Sequence, residues 1–190
     1  LMSAMMAAEE RGHRLSDDEV VTMAEQLFTA GHGTTRNLIG NAVLALLRNP
    51  AEFSKLPKNP QLIESAIEEA LRYDSPTQSP NPQVATEDVE IDGRKISRGE
   101  VVTVLIGAAN RDPAKFPDPD RFNIERADGE HLAFSHGAHY CLGASLARLQ
   151  AQIAVGAIAR RMPKLRLAAS QLKWKTMGRF RGLESLPVEF

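Results

Sequence analysis

Apolar residues recur at steps of three and four over most of this chain and alternate only in its middle. The longest helical run opens at Ser16, where Ser16 and Glu19 form the Ser-x-x-Glu pattern that pairs two otherwise orphaned amides at a helix start. Val20, Leu27, Leu38, Ala42 and Leu46 keep helical spacing up to Asn49-Pro50, which predicts one helix of about 48 Å at about 1.5 Å per residue. A second helix carries Leu62, Ile63, Ala66, Ala70 and Leu71, after a polar, proline-marked link from Asn49 to Pro60. A third begins near Leu142, where Leu142, Leu146, Leu149, Ile153 and Ala157 predict one buried face, and it ends near Met162-Pro163. The first residues, LMSAMMAAEERG, are also in helical pattern with Gly12 as the expected stop and no cap ahead of them, so the chain reads as beginning inside an element.

From Ser75 to Arg111 the period drops to two. Val84-Ala-Thr, Val89-Glu-Ile91, Lys95-Ile96 and the run from Val101 to Ile106 predict short strands, separated by the turn signals Asp92-Gly93 and Arg98-Gly99-Glu100. Leu165-Arg-Leu167 and the run from Leu186 to Phe190 predict terminal strands, with a turn over Thr176 to Phe180 between them. The expected class is mainly α with small β-sheets, and no internal repeat or low-complexity tract interrupts it.

Two places break the pattern. Ala30-Gly31-His32-Gly33-Thr34-Thr35 puts two glycines and two β-branched residues into the middle of the long helix, a local cost of about 2 kcal/mol relative to alanine, and predicts a bulge there. The bland account of the threonines is a hydroxyl bonded back to its own helix carbonyl. The other place is FSHGAHYCLG, Phe134 to Gly143, which holds the only cysteine in 190 residues. Cys141 stands at the start of the third helix, where unpaired N–H groups and the helix dipole favour a thiolate. Gly137 and Gly143 allow tight turning and the approach of a flat ligand. By residue type alone the loop could also be a solvated glycine-rich surface, or, with His131, His136 and His139 close to Cys141, a zinc site without the usual C-x-x-C.

Phe134, Gly137, His139, Cys141 and Gly143 form Phe-x-x-Gly-x-His-x-Cys-x-Gly, which resembles the haem-thiolate signature of the cytochrome P450 family. Three further motifs follow the family's order: Ala-Gly-x-x-Thr-Thr at Ala30 to Thr35, Glu-x-x-Arg at Glu69 and Arg72, and Pro-x-Arg-Phe at Pro119 to Phe122. The resemblance covers essentially the whole chain and implies the C-terminal portion of that fold: long distal helix, Glu-x-x-Arg helix, cysteine loop and proximal helix. Residues 1–190 would be a partial haem-thiolate domain whose N-terminal half, with lid helices and much of the substrate pocket, lies elsewhere.

The resemblance implies haem b with Cys141 as the iron ligand, Phe134 packed beside the sulfur and His139 at a haem propionate. Gly31 would leave room for haem and oxygen, and Thr34 would hydrogen-bond bound oxygen or its water. Gly33 stands where the family has the acid that helps relay protons. Gln83 is nearest to the place of the family's propionate arginine, and an amide can donate there without neutralising a carboxylate. Glu69 and Arg72 would be buried behind the haem and joined by Arg121. On the residues alone, such an i, i+3 pair is most often solvated and contributes well under about 1 kcal/mol. The Ser79 to Gln83 and Thr176 to Phe180 segments would reach the substrate side.

Composition adds limits rather than chemistry. With 43% apolar and 25% charged residues the chain has an ordinary globular composition, and a net charge of −1 gives no sign of a nucleic-acid partner. No apolar run approaches the roughly 18 residues of a membrane span, and a single cysteine fits a reducing cytoplasm. These features match the soluble bacterial type of the family. That type implies a monooxygenase acting on a small organic substrate, with electrons from NAD(P)H through a ferredoxin reductase and ferredoxin. Arg148 and neighbouring basic residues could face the donor, though a solvated helix face is the plainer account of them. Gly33 and Gln83 also allow an altered enzyme that uses peroxide or performs oxidative coupling, and the short chain allows a non-catalytic fragment.

Overall fold

The computed structural model describes residues 2–10, 12–127, 130–175 and 178–190. Thr176 and Met177, the first half of the expected turn, lie outside them. In chain order the elements are α1 (Met2–Ala7), β1 (Glu9–Glu10), β2 (His13–Arg14), α2 (Asp17–Arg48), α3 (Pro50–Phe53), α4 (Leu62–Tyr73), β3 (Gln83–Val84), β4 (Val89–Ile91), β5 (Arg94–Ile96), β6 (Val101–Val102) and α5 (Ile106–Ala109). A single 3-10 turn (Gly137–His139), α6 (Ala144–Arg161), β7 (Arg166–Leu167) and β8 (Val188–Glu189) complete the described residues.

Three helices make the core. α2, α4 and α6 pack pairwise on one another. Leu38, Ala42, Val43, Ala45 and Leu46 of α2 meet Ala66, Ile67, Ala70 and Leu71 of α4 and Ala151, Val155 and Ala159 of α6, with Phe53, Leu56, Phe122, Ile124 and Leu165 closing the ends. Alanines at many of these contacts let the helix axes come close. Asn41, buried inside α2, donates through Nδ2 to the carbonyls of Asp74 at 3.1 Å and Arg181 at 3.2 Å, which ties α4's end and the 181 segment to the long helix.

Local rules account for most boundaries. Ser16 caps α2 with the reciprocal bonds of a capping box, and Pro50 starts α3 one residue after α2's last turn. Asp92 (φ 51°) and Gly93 (φ 73°) both take positive φ between β4 and β5, the conformation of a two-residue hairpin turn. The strands form four separate antiparallel pairs: β1 with β2, β3 with β6, β4 with β5, and β7 with β8.

Four expectations are corrected. The opening helix stops at Ala7, and Gly12 turns a short hairpin instead of ending a helix. The strand expected to reach Ile106 ends at Val102, and Ile106 begins α5. α2 is continuous through the glycines, with no bulge. On α6 the buried residues are Ala144, Ala151, Val155 and Ala159, whereas Leu146, Leu149 and Ile153, and Leu142 just before the helix, are exposed, Leu142 at 86% and Ile153 at 64%. α6 therefore carries two apolar faces. Only the one with small residues lies against α2 and α4, and spacing alone does not separate two such stripes.

Candidate functional site: the cysteine loop and its supports

Cys141 is held by its backbone and open at its sulfur. Its N–H donates to the Phe134 carbonyl at 3.0 Å, and its own carbonyl accepts from Ala144 at 3.2 Å as α6 begins. Ser135 (φ 66°) and Gly137 (φ 75°) take the left-handed conformation that folds the loop back on itself, and Tyr140 N–H closes the turn on the Gly137 carbonyl at 3.0 Å. The thiol is exposed. A Cβ placed at Gly137 or Gly143 meets nothing within 4 Å, so the ground beside the sulfur is open enough for a flat ligand. His139 is exposed at the end of the 3-10 turn.

Two adjacent carboxylates on α4 hold two different loops. Neighbours on a helix point about 100° apart, so Glu68 and Glu69 face separate partners. Glu69 accepts from Arg72 Nε at 2.7 Å and Nη2 at 2.9 Å, and from the Asn123 amide at 2.9 Å. Arg72 then donates to the carbonyls of Asn110 and Pro119, both at 2.9 Å, so the pair fixes the path of the 110–123 segment. The second arginine at Glu69 is Arg126, with Nε 3.3 Å from Oε2 and its side chain 8% exposed. It is not Arg121, whose side chain is directed outward. The Arg121 carbonyl is what faces the cluster, accepting from Arg126 Nη2 at 3.1 Å and Arg72 Nη2 at 3.4 Å.

Glu68 reaches the cysteine loop. Arg148 of α6 grips it with Nε at 2.8 Å from Oε1 and Nη2 at 2.9 Å from Oε2, donates through Nη1 to the Tyr140 hydroxyl at 3.1 Å, and lies 4.5 Å over the Phe134 ring. His131 Nε2 is 3.1 Å from Glu68 Oε2 while its Nδ1 accepts the Ala133 amide, which assigns the proton to Nε2. Burial pushes the Glu68 carboxyl up, but the bonds from His131 and Arg148 outweigh it and hold its pKa at about 2. The Arg148 guanidinium is pushed above its usual range chiefly by its bond to Glu68. Asn110, fully buried, completes the support: its Oδ1 accepts from Leu132 N–H at 2.7 Å and its Nδ2 donates to Ser75 Oγ at 2.9 Å. Arg148, its side chain 29% exposed, is thus engaged by Glu68, Tyr140 and Phe134. His131 is committed to Glu68, and among the described residues no group of three or more His, Cys, Asp or Glu is arranged to hold a metal ion, so the zinc reading falls.

The remaining expected residues lie on other elements. Thr34 bonds back to the Ala30 carbonyl at 2.6 Å. Gly31 and Gly33 leave open space where a Cβ would stand. Gln83 is exposed on β3, its amide donating to the Asn81 carbonyl at 3.0 Å. Glu68 and Arg126 escaped sequence reasoning. The signal for Glu68 was present as a second glutamate beside the Glu-x-x-Arg motif, on a different face of the same amphipathic helix.

An iron-binding thiolate needs a soft donor that the ligand can reach, on a loop whose backbone is held by hydrogen bonds, with no bulk beside it. Cys141 meets these conditions and is the sole sulfhydryl. No helix among the described residues is long and apolar enough to cross a membrane.

Comparison with known proteins shows the family. The cytochrome P450 family profile matches residues 1–162. Cytochrome P450 107B1 of Saccharopolyspora erythraea is 50% identical over 190 residues, which is 99% of this chain and 47% of that protein. The biotin biosynthesis cytochrome P450 of Bacillus subtilis is 48% identical over 189 residues, 100% of this chain and 48% of that protein. Among solved structures, the Bacillus subtilis bacillaene polyketide synthase cytochrome P450 PksS superposes with a TM-score of 0.94 at 43% identity, covering 98% of this chain and 49% of that one. P450BioI, in complex with an acyl carrier protein ligated to hexadec-9Z-enoic acid, superposes at 0.90 with 50% identity, covering 93% and 46%. The chain spans about half the length of the relatives it matches. With an open, backbone-fixed thiol on a loop that carries the haem-thiolate signature, and relatives of half identical sequence along its whole length, the chain belongs to the cytochrome P450 family.

Proposed function

We propose that these residues are the C-terminal half of a haem-dependent monooxygenase. It would join a small organic substrate, O2, NAD(P)H and a proton to give an oxygenated product, water and NAD(P)+, with ferredoxin reductase and ferredoxin carrying the two electrons in the cytoplasm. The observation that carries the reading is the cysteine loop, where an exposed sulfur sits on a backbone fixed from two sides. The large apolar face of α6, Leu146, Leu149 and Ile153, with Leu142 just ahead of the helix, supports the half-domain assignment, since relatives about twice as long have chain available to cover it.

Haem b, when bound, would supply the redox chemistry that activates O2. This chain's residues do the rest. Cys141, on the loop that leads into the 18-residue α6, would hold the iron through Sγ and supply electron density to it. Phe134, whose carbonyl holds the Cys141 amide, would pack beside the sulfur, Gly137 and Gly143 leave open space around it, and His139 would donate to a propionate. On α2, open space at Gly31 would admit the ligand plane, and Thr34 Oγ1, once released from the Ala30 carbonyl, can hold a water or pass it a proton. Glu69, Arg72 and Arg126 fix the path of the 110–123 segment.

A second reading rests on Gly33. With no carboxylate beside Thr34, a peroxide-using or oxidative-coupling enzyme would avoid the proton delivery that O2 cleavage demands. Turnover with isotopically labelled O2 separates the two. Label in the product, dependent on NAD(P)H and ferredoxin, supports the monooxygenase. Label absent from product formed with unlabelled peroxide supports the second reading.

A further inference from the structure

We infer that Glu68 and Arg148 are positioning residues for the Cys141 loop, a clamp separate from the Glu69, Arg72 and Arg126 cluster. The inference rests on Cys141 being the iron ligand proposed above. One guanidinium joins three of the groups involved. Its fork is filled by the Glu68 carboxylate at 2.8 and 2.9 Å, its remaining nitrogen holds the Tyr140 hydroxyl at 3.1 Å, and its face covers Phe134 at 4.5 Å. Tyr140 is the residue before the cysteine, and the Phe134 carbonyl is the acceptor of the Cys141 amide. Both groups that flank the sulfur's backbone are therefore referenced to α4 through Arg148, from a position two helical turns beyond Cys141. His131 locks the other end by bonding the same Glu68 oxygen and packing 6.1 Å from the Phe134 ring.

Arginine alone can do this. A lysine would keep the charge at Glu68 but has no planar fork to hold carboxylate and hydroxyl together and no flat face for the ring. Coupling to Glu68 rather than to Glu69 also means that the loop can loosen while the 110–123 segment stays fixed. Such independence distinguishes a positioning clamp from a general strut.

The test uses the full-length protein, haem-loaded and haem-free, with Arg148→Lys, Glu68→Gln, Tyr140→Phe and, as a remote ion-pair control, Arg166→Gln, whose partner is Glu189. Hydrogen exchange over residues 134–144 is read in the haem-free protein, and the fraction of the reduced carbon monoxide complex that keeps a thiolate spectrum is read in the loaded protein. We expect about tenfold faster exchange in this segment for Arg148→Lys and Glu68→Gln, with residues 110–123 unchanged, and a smaller thiolate fraction. Tyr140→Phe, an exposed side chain that leaves the ion pair intact, should accelerate the Cys141 amide about two- to threefold. Arg166→Gln should alter neither readout. The inference is overturned if exchange in 134–144 matches wild type in all three loop variants, or if it rises equally across the whole protein as for a general loss of stability. If Arg148→Lys and Glu68→Gln fail to fold, Tyr140→Phe decides alone, and wild-type exchange there overturns the clamp. Failure of the wild-type protein itself to show a thiolate spectrum would count against Cys141 as ligand, while the exchange data would still report on the clamp.

Discussion

Removing the Glu69 carboxylate should cost several times what removing an exposed carboxylate costs. Glu69 and Arg72 have side chains 2% exposed, Arg126 8%, and the carboxylate receives both arginines together with the Asn123 amide. Glu69→Ala leaves two guanidiniums and one backbone N–H facing a site that water barely enters. Stranding buried charges in this way costs about 3–5 kcal/mol, most of it desolvation that is no longer repaid. Glu125→Ala removes an ion pair with Lys55 whose carboxylate is 54% exposed, and should cost no more than about 1 kcal/mol. Arg126→Ala should fall near Glu69→Ala, since it too leaves a buried partner, although Arg72 keeps part of Glu69 satisfied. Arg121→Ala should fall near Glu125→Ala, because only its backbone carbonyl takes part. The double variant Glu69→Ala/Arg126→Ala should cost less than the sum of its parts, as partners in one network do. Urea unfolding of the full-length protein measures all five. A Glu69→Ala cost within about 1 kcal/mol of Glu125→Ala would refute the burial argument, and an Arg121→Ala cost above Arg126→Ala would reverse the assignment of the second arginine.

Two further outcomes are open to measurement. Glu68 ionises near 2 in the folded protein against 4.5 as its ordinary value, so its contribution is complete above pH 4.5 and is lost as the pH falls toward 2. With the carboxylate 36% exposed, that contribution is about 1–2 kcal/mol after allowance for solvent screening. The stability gap between wild type and Glu68→Gln should therefore shrink across this window, and a gap independent of pH would contradict the pairing. Gly33→Glu should raise product formed per NAD(P)H consumed and reduce released peroxide, because Thr34 alone is too weak an acid. Tight coupling in the glycine enzyme, with slower turnover in the glutamate variant, would mean that another group carries the protons.

Features set by local chemistry could be read from the sequence directly. The Ser16 capping box and Asn49-Pro50 bounded the long helix, and Asp92-Gly93 marked a turn that only residues tolerant of positive φ can make. Where two local answers competed, tertiary packing chose. α6 has apolar residues on two faces, and its alanines rather than its leucines meet α2 because close helix approach selects small side chains. Pro-x-Arg-Phe located the right loop but the wrong guanidinium. The backbone of that loop turns the Arg121 carbonyl toward Arg72, which sends its side chain to solvent and leaves the inward place to Arg126, five residues on. At Thr34 the structure holds the back-bonded form, the local answer for a mid-helix threonine. Glu68 was hidden because its partner lies 80 residues away on α6, a separation no periodicity encodes.

The central claim is that Cys141, as thiolate, is the haem ligand. An absorption spectrum of the reduced full-length protein under carbon monoxide, recorded for wild type, Cys141→Ser and His139→Ala, tests it most directly. The account predicts a strongly red-shifted Soret band in wild type, the same band with weaker haem retention in His139→Ala, and its loss in Cys141→Ser. The same red-shifted band in Cys141→Ser would contradict it.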